Sequence, residues 1–299
     1  MQAIPTGRTL GATILDADLS EPLSDTDRDR IIGWAGQYGV LSFPDQRLTQ
    51  RQLRDFSAHF GALEVNVATL GQQVELPEVM TLSNIVENGK PLGLSDAGQS
   101  WHTDMSYSSM IAFCNILYGI EIPMRDGQPL GNTEFCNMHT AHEGLPEDLK
   151  RKLEGMTITH DFNKFWELMR SREGSTRAPL SEAQRSAKPP VAHPVFLTHP
   201  ITGRKVLYAN PGYAMRINEL PEDESARILD FLFEHQVRPE YRYAYRWKVG
   251  SVLMWDNMGT IHNAVPDYRP DERRLIKRCQ VAATRFFPLD VPAGMAAPQ

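Results

Sequence analysis

Cysteine is scarce in this chain, with three in 299 residues. Cys114, Cys136 and Cys279 cannot all pair with one another, and none has the close spacing of a zinc site. A disulfide scaffold is thereby excluded, and a reducing, cytoplasmic setting fits best. The N-terminus has no basic stretch leading into an apolar one, as a secretion signal would. No apolar run approaches the roughly 20 residues that a membrane span needs, so no membrane partner is expected. Long basic runs are also missing and the net charge is −6, which argues against nucleic acid while leaving a local anion site unaffected. Neither a Pro/Gly/Ser-rich linker nor an internal repeat divides the sequence. Residues 1–299 therefore read as one domain large enough to bury a sizeable core. The partner class left is a small molecule, with self-association open.

Against these absences stands Trp101-His102-Thr103-Asp104. The stretch reads as extended, and on a strand positions i and i+2 share a face, so His102 and Asp104 would project side by side. With a second histidine from elsewhere they could hold one metal ion. Two histidines and a carboxylate make the facial triad of non-haem Fe(II) oxygenases, which leaves the opposite coordination positions open. A hydrogen-bonded surface pair is the bland alternative. The candidate third ligand is His262. Ser251 to Trp255 is an apolar run that reads as a buried strand, Asp256-Asn257 is turn chemistry, and Thr260-Ile261-His262 resumes an extended segment. Beyond it, Arg274, Ile276 and Arg278 share one face of another strand-like run, and a row of guanidiniums invites a carboxylate.

Elsewhere, Ser24 and Thr49 are N-caps for two helices, the second carrying Leu53, Phe56 and Phe60 at helical spacing. Residues 137–154 read as helices broken at Gly144-Leu145-Pro146. His139 and His142, three apart on one helical face, could bind metal but more simply line a surface, and the remaining histidines read as structural. Lys164 to Pro190 turns polar and charged, so a lid insertion at about 164–190 is expected, with disorder as the alternative. A helix starting at Pro221 should turn Ile228, Leu229, Phe231 and Leu232 inward.

The motifs Trp-His-Thr-Asp, then Met254-Trp255-Asp256-Asn257 with Thr260-x-His262, then Asp267-Tyr268 and Arg273-Arg274-x-x-x-Arg278 occur in this order. Together they resemble the taurine dioxygenase/TfdA family of Fe(II)- and 2-oxoglutarate-dependent oxygenases, over nearly the whole chain. The resemblance implies a mainly β protein with flanking helices, built as a double-stranded β-helix (a cupin-like jelly roll). Many short strands with framing helices agree with that. It further implies Fe(II) on His102, Asp104 and His262, with 2-oxoglutarate chelating the iron and O2 as the second co-substrate. The far carboxylate of 2-oxoglutarate is then held by Arg274 and by Thr133 of Gly131-Asn132-Thr133, where the family commonly has a shorter Gly-Gly-Asp-Thr.

The implied reaction is hydroxylation of a C–H bond in a small organic substrate, with release of succinate and CO2. Relatives that halogenate lack the carboxylate that Asp104 supplies. Asn66 and Thr69 stand where the family's taurine enzyme contacts the sulfonate with other residues, so taurine is not the expected substrate and Asn66 is a candidate contact. Arg278 matches an arginine that the family uses near the substrate, which points to an anionic substrate. Its plain alternative is pairing with a carboxylate such as the second oxygen of Asp104. Two further readings share the same ligands. A zinc hydrolase would need a general base that is not evident nearby and would leave Arg274 without a purpose. A non-catalytic cupin-type metal or small-molecule binding protein is the other.

Overall fold

The computed structural model describes residues 1–65, 75–172, 175 and 177–287; Asn66 and Thr69 lie outside the described residues. An antiparallel pair, β1 (Gln2–Pro5) and β2 (Ala12–Leu15), comes first. Helix α1 (Asp25–Tyr38) forms where Ser24 accepts from the Asp27 amide, with Asp25 and Asp27 at the positive end of the dipole and Gly39 at φ 69° stopping it. Strand β3 (Val40–Phe43) is buried throughout. Helix α2 (Gln50–Ala58) starts with a capping box between Thr49 and Gln52 and buries Leu53 and Phe56. After β4 (Met80–Ser83) comes a small hairpin, β5 (Val86–Glu87) and β6 (Lys90–Pro91). The long β7 (Ala112–Glu121) is followed by a second small hairpin, β8 (Met124–Arg125) and β9 (Gln128–Pro129), and by β10 (Thr133–Asn137).

Helices α3 (Met138–Glu143) and α4 (Glu147–Leu153) are separated at Gly144-Leu145-Pro146, as expected. Strand β11 (Thr157–His160) leads to α5 (Phe162–Arg170) and α6 (Glu182–Ala187). Then come β12 (Val191–Pro194), the hairpin β13 (Phe196–Thr198) and β14 (Lys205–Leu207), β15 (Ala214–Ile217) and α7 (Glu222–His235). The last strands are β16 (Arg242–Tyr245), β17 (Val252–Asp256), β18 (Thr260–Ala264) and β19 (Leu275–Ala282).

The main sheet has the order β1-β2-β3-β17-β7-β19-β4, with smaller sheets β16-β10-β18 and β12-β11-β15, and the whole is a jelly roll. Both faces of the main sheet are covered at β17, which is why that strand reads as a continuous apolar run rather than an alternating one. On one face Val252 and Met254 pack with Ile31, Ala35, Leu53 and Phe56 of the two N-terminal helices. On the other, Leu253 and Trp255 pack against Phe135 and Trp247 inside the roll. Among the described residues no helix is long and apolar enough to cross a membrane.

Two expectations change. Leu229 and Leu232 of α7 point inward, but Phe231 is 36% exposed, because the buried stripe of this helix is narrower than its run of apolar residues. The polar stretch after Lys164 contains helices at both ends, and α5 buries Phe165 and Met169 four apart on one face. Its many charges conceal that stripe in the sequence.

Candidate metal centre

His102 and His262 oppose each other across an isolated antiparallel bridge, each amide donating to the other's carbonyl at 3.0 and 2.9 Å. β18 carries His262 and is itself paired to β10, with His262 opposite Phe135. Beyond His102 the chain leaves extended structure: Asp104 opens a turn in which Met105 has φ 58°. Strand alternation is therefore not what brings Asp104 beside His102. The turn swings its carboxylate back, placing Oδ1 3.6 Å from His102 Nε2 and Oδ2 3.5 Å from His262 Nε2. One ligand atom from each residue lies within 4.8 Å of the others, and exposure is 2% for His102, 6% for Asp104 and 4% for His262.

The protonation pattern suits a cation. His102 Nδ1 lies 2.7 Å from the Ser100 carbonyl and so donates to it, which leaves Nε2 as the ring nitrogen that faces the other two groups. Burial alone would raise the Asp104 pKa, but the Arg278 guanidinium and the two imidazoles outweigh it and hold the carboxyl well below the usual range. Burial and the neighbouring His102 push the His262 pKa well down, keeping that ring neutral. Asp104 Oδ2 has no hydrogen-bond partner. Two imidazole nitrogens converging on an ionised carboxylate are the donor set a divalent metal of the Fe(II) type takes.

A second buried trio, His139, His199 and Asp256, also has its ligand atoms within 4.8 Å of one another. His142 is no part of it and sits edge-on to Phe196, while His139, expected with His142 to line a surface, is buried and faces a histidine far along the chain. Metal is a poor occupant here. His199 Nδ1 accepts from the amides of Ile201 and Thr202, so its hydrogen is on Nε2, 2.9 Å from Asp256 Oδ2. That nitrogen has no lone pair to give. Burial and His199 push the pKa of His139 down to about 4, and its Nδ1 hydrogen points at the Lys205 carbonyl. The trio ties the β13–β14 hairpin to the turn after β17.

Arg274 precedes β19 and is buried, with its Nε lacking a hydrogen-bond partner. Burial lowers its pKa, with Tyr268 and Asp267 acting the other way. It packs on Gly131, where an added Cβ would come 3.0 Å from Arg274 Nε. Two residues on is Thr133, buried, its hydroxyl accepting from Trp247 Nε1 at 3.0 Å. The structure thus brings Arg274 to the Gly131-Asn132-Thr133 segment. Arg278, within β19, places Nη1 3.5 Å from Asp104 Oδ2 and Nη2 3.1 Å from Met80 Sδ. The Asp104 pairing named as its plain alternative is therefore present.

The model of the family described as "Taurine catabolism dioxygenase TauD, TfdA family" matches residues 2–280. The chain belongs to this family. Pentalenolactone F synthase of Streptomyces avermitilis is 33% identical over 283 residues, covering 91% of this chain and 90% of that protein. Alpha-ketoglutarate-dependent 2,4-dichlorophenoxyacetate dioxygenase of Cupriavidus pinatubonensis is 33% identical over 287 residues, covering 92% and 96%. A solved structure of AAD-2 in complex with Mn(II) and N-oxalylglycine superposes with TM-score 0.80 at 26% identity, covering 95% of this chain and 98% of that one. This TauD/TfdA-family protein is an Fe(II)- and 2-oxoglutarate-dependent dioxygenase acting on small organic substrates. The zinc-hydrolase and non-catalytic readings fall away.

For a TauD/TfdA-family enzyme the least legible part in the sequence is the wall of the cavity beside the metal centre. Phe165 and Trp166 of α5 line it with Tyr107, Tyr213 and Arg177. The His102 ring lies 4.9 Å from Phe165 and 6.3 Å from Tyr213. Gly212 permits this approach, since a Cβ there would fall 2.8 Å from His102 Cβ. The spacing of Phe162, Phe165, Trp166 and Met169 was the available signal. Tyr213 carried none.

Proposed function

We propose that His102, Asp104 and His262 hold the iron, that Arg274 with Thr133 binds the distal carboxylate of 2-oxoglutarate, and that the primary substrate is a small organic anion with an apolar body. The convergence of three buried donors, two imidazoles and an ionised carboxylate, carries the metal assignment. The buried, unpartnered Nε of Arg274 beside Gly131 supports the second part. Iron and 2-oxoglutarate supply the activation of O2, so that one oxygen atom enters a substrate C–H bond while the keto acid leaves as succinate and CO2. The chain's own part is to orient and to exclude water: Ser100 fixes the His102 tautomer, and Phe165, Tyr107 and Tyr213 present apolar faces to the substrate.

The anionic preference draws on Arg278 and Arg177 in this cavity and on the dichlorophenoxyacetate that one relative is named for. Because Arg278 also faces Asp104, its test must separate two effects. Arg278→Gln is expected to lower turnover of an acid substrate more than that of its neutral ester or amide. The loss shared by both reports on Asp104, and the extra loss on the acid reports on the anchor. Equal losses would remove Arg278 as the anchor.

We also propose that the α5–α6 segment, in the stretch 164–190, works as a lid. Arg177 pairs with Asp96 through two hydrogen bonds of 2.8 Å, and Arg172 donates to Gln99 at 3.0 Å, so the segment is latched to the loop before the metal centre. These three side-chain hydrogen bonds, with Arg177 and Asp96 both partly open to solvent, are a small set of contacts to break on opening. Limited proteolysis in this segment should be suppressed by 2-oxoglutarate plus substrate; equal cleavage in both states would count against a lid. Cytoplasmic location is part of the same proposal, resting on the unpaired, buried cysteines.

A further inference from the structure

Asp104 is held by no sheet. The main-chain bridge stops at His102, and the neighbouring side-chain anchors fix other residues: Thr103 Oγ1 donates to the Thr260 carbonyl at 3.0 Å, and Ser106 Oγ to the Thr103 carbonyl at 3.3 Å. What reaches the Asp104 main chain is a side chain, Asn257, whose Nδ2 donates to its carbonyl at 2.8 Å. Asn257 Oδ1 in turn accepts from Asn115 Nδ2 at 3.0 Å. The Asp104 carbonyl can only accept, so the Asn257 side-chain nitrogen is the end that faces it and the oxygen is left to Asn115.

The chain of bonds is anchored at both ends. Asn115 lies in β7 with partners on both sides, Trp255 in β17 and Gln280 in β19, in the middle of the seven-stranded sheet. The Asn257 amide nitrogen donates to the Phe113 carbonyl at 2.8 Å. Asp256, next to it, accepts from the amides of Met258 and Gly259 at 3.1 Å each and faces His199, so the turn cannot rotate without breaking several bonds. Asn115 and Asn257 are fully buried, where a misplaced amide has no water to bond with instead.

We infer that Asn257 is a positioning residue for the metal centre: its side-chain amide, braced by Asn115, fixes the Asp104 main chain so that the carboxylate, which also faces Arg278, is held within reach of both histidines. The inference rests on Asp104 being a metal ligand. A purely structural asparagine would instead lower stability and leave the metal affinity of the folded protein alone.

Mn(II) titration of the metal-free full chain, with free Mn(II) read by electron paramagnetic resonance, separates these cases. Asn257→Ala should raise the Mn(II) dissociation constant about 10–100-fold, the range for partners that orient metal ligands. Asn115→Ala should raise it less. In an Asp104→Ala background, Asn257→Ala should add no further loss, because the carboxylate it positions is gone. The melting temperature of the metal-free protein reports folding separately, and if Asn257→Ala does not fold, Asn115→Ala is judged by the same pair of measurements. Wild-type Mn(II) affinity in the folded variant, or an equal loss in the Asp104→Ala background, would overturn the inference. Unchanged affinity in Asp104→Ala alone would remove the ligand assignment itself and this inference with it.

Discussion

Alanine in place of His262, or of His102, is expected to abolish metal binding and 2-oxoglutarate turnover together while the chain stays folded. Each change removes one of three protein ligands, and two donors cannot hold the ion in the facial arrangement that leaves positions open for co-substrates. Folding should survive because the bridge between these residues is main chain to main chain and does not use the imidazoles. Some stability is lost all the same. The His262 ring packs 4.7 Å from Trp255, and deleting it leaves a cavity whose cost is about 2–5 kcal/mol by comparison with other large-to-alanine changes in cores. Metal content, succinate formation and melting temperature should be read on the same preparations. Turnover like that of the wild type in either variant would take that residue out of the site.

Arg274→Ala should weaken 2-oxoglutarate far more than the primary substrate. The guanidinium is buried beside Gly131 with its Nε unpartnered, so a carboxylate arriving there meets a desolvated donor. Losing one half of a buried, charge-assisted pair costs about 2–5 kcal/mol, tens to thousands of times in affinity. Lysine should restore little, because a point charge cannot reproduce the two parallel bonds of the planar group. Arg273 is no substitute, being exposed and engaged with Glu121 at 2.8 and 3.1 Å. The KM for 2-oxoglutarate in Arg274→Ala and Arg274→Lys, with the KM for the primary substrate as control, checks this. An unchanged 2-oxoglutarate dependence would shift the assignment to Arg278.

The parts of this structure that were legible in the sequence are those set by local chemistry. Ser24 and Thr49 announce their helices because a cap is a contact across three residues, and Gly144-Leu145-Pro146 breaks the α3–α4 pair for equally local reasons. His-x-Asp and Thr-x-His picked out the residues that the fold brings together. How they meet was not legible. The sequence suggested one strand face for His102 and Asp104, whereas a bridge and a turn do the work, and turn geometry at Met105 leaves no signature in a non-glycine residue. Asp256-Asn257 reads as a turn, but that its two side chains face opposite ways, one to His199 and one to Asp104, depends on strands far apart in the chain. The aromatic wall was hidden for another reason: α5 carries it within a stretch whose charges dominate the composition.

One measurement decides most directly whether these residues form the iron and 2-oxoglutarate site. Under anaerobic conditions, Fe(II) and 2-oxoglutarate are added to the wild type, His262→Ala, Asp104→Ala and Arg274→Ala, and the visible charge-transfer band of the iron–keto acid chelate is recorded. The band should form in the wild type, be absent without His262 or Asp104, and need much higher 2-oxoglutarate in Arg274→Ala. A band of wild-type intensity and 2-oxoglutarate dependence in all three variants would contradict the assignment.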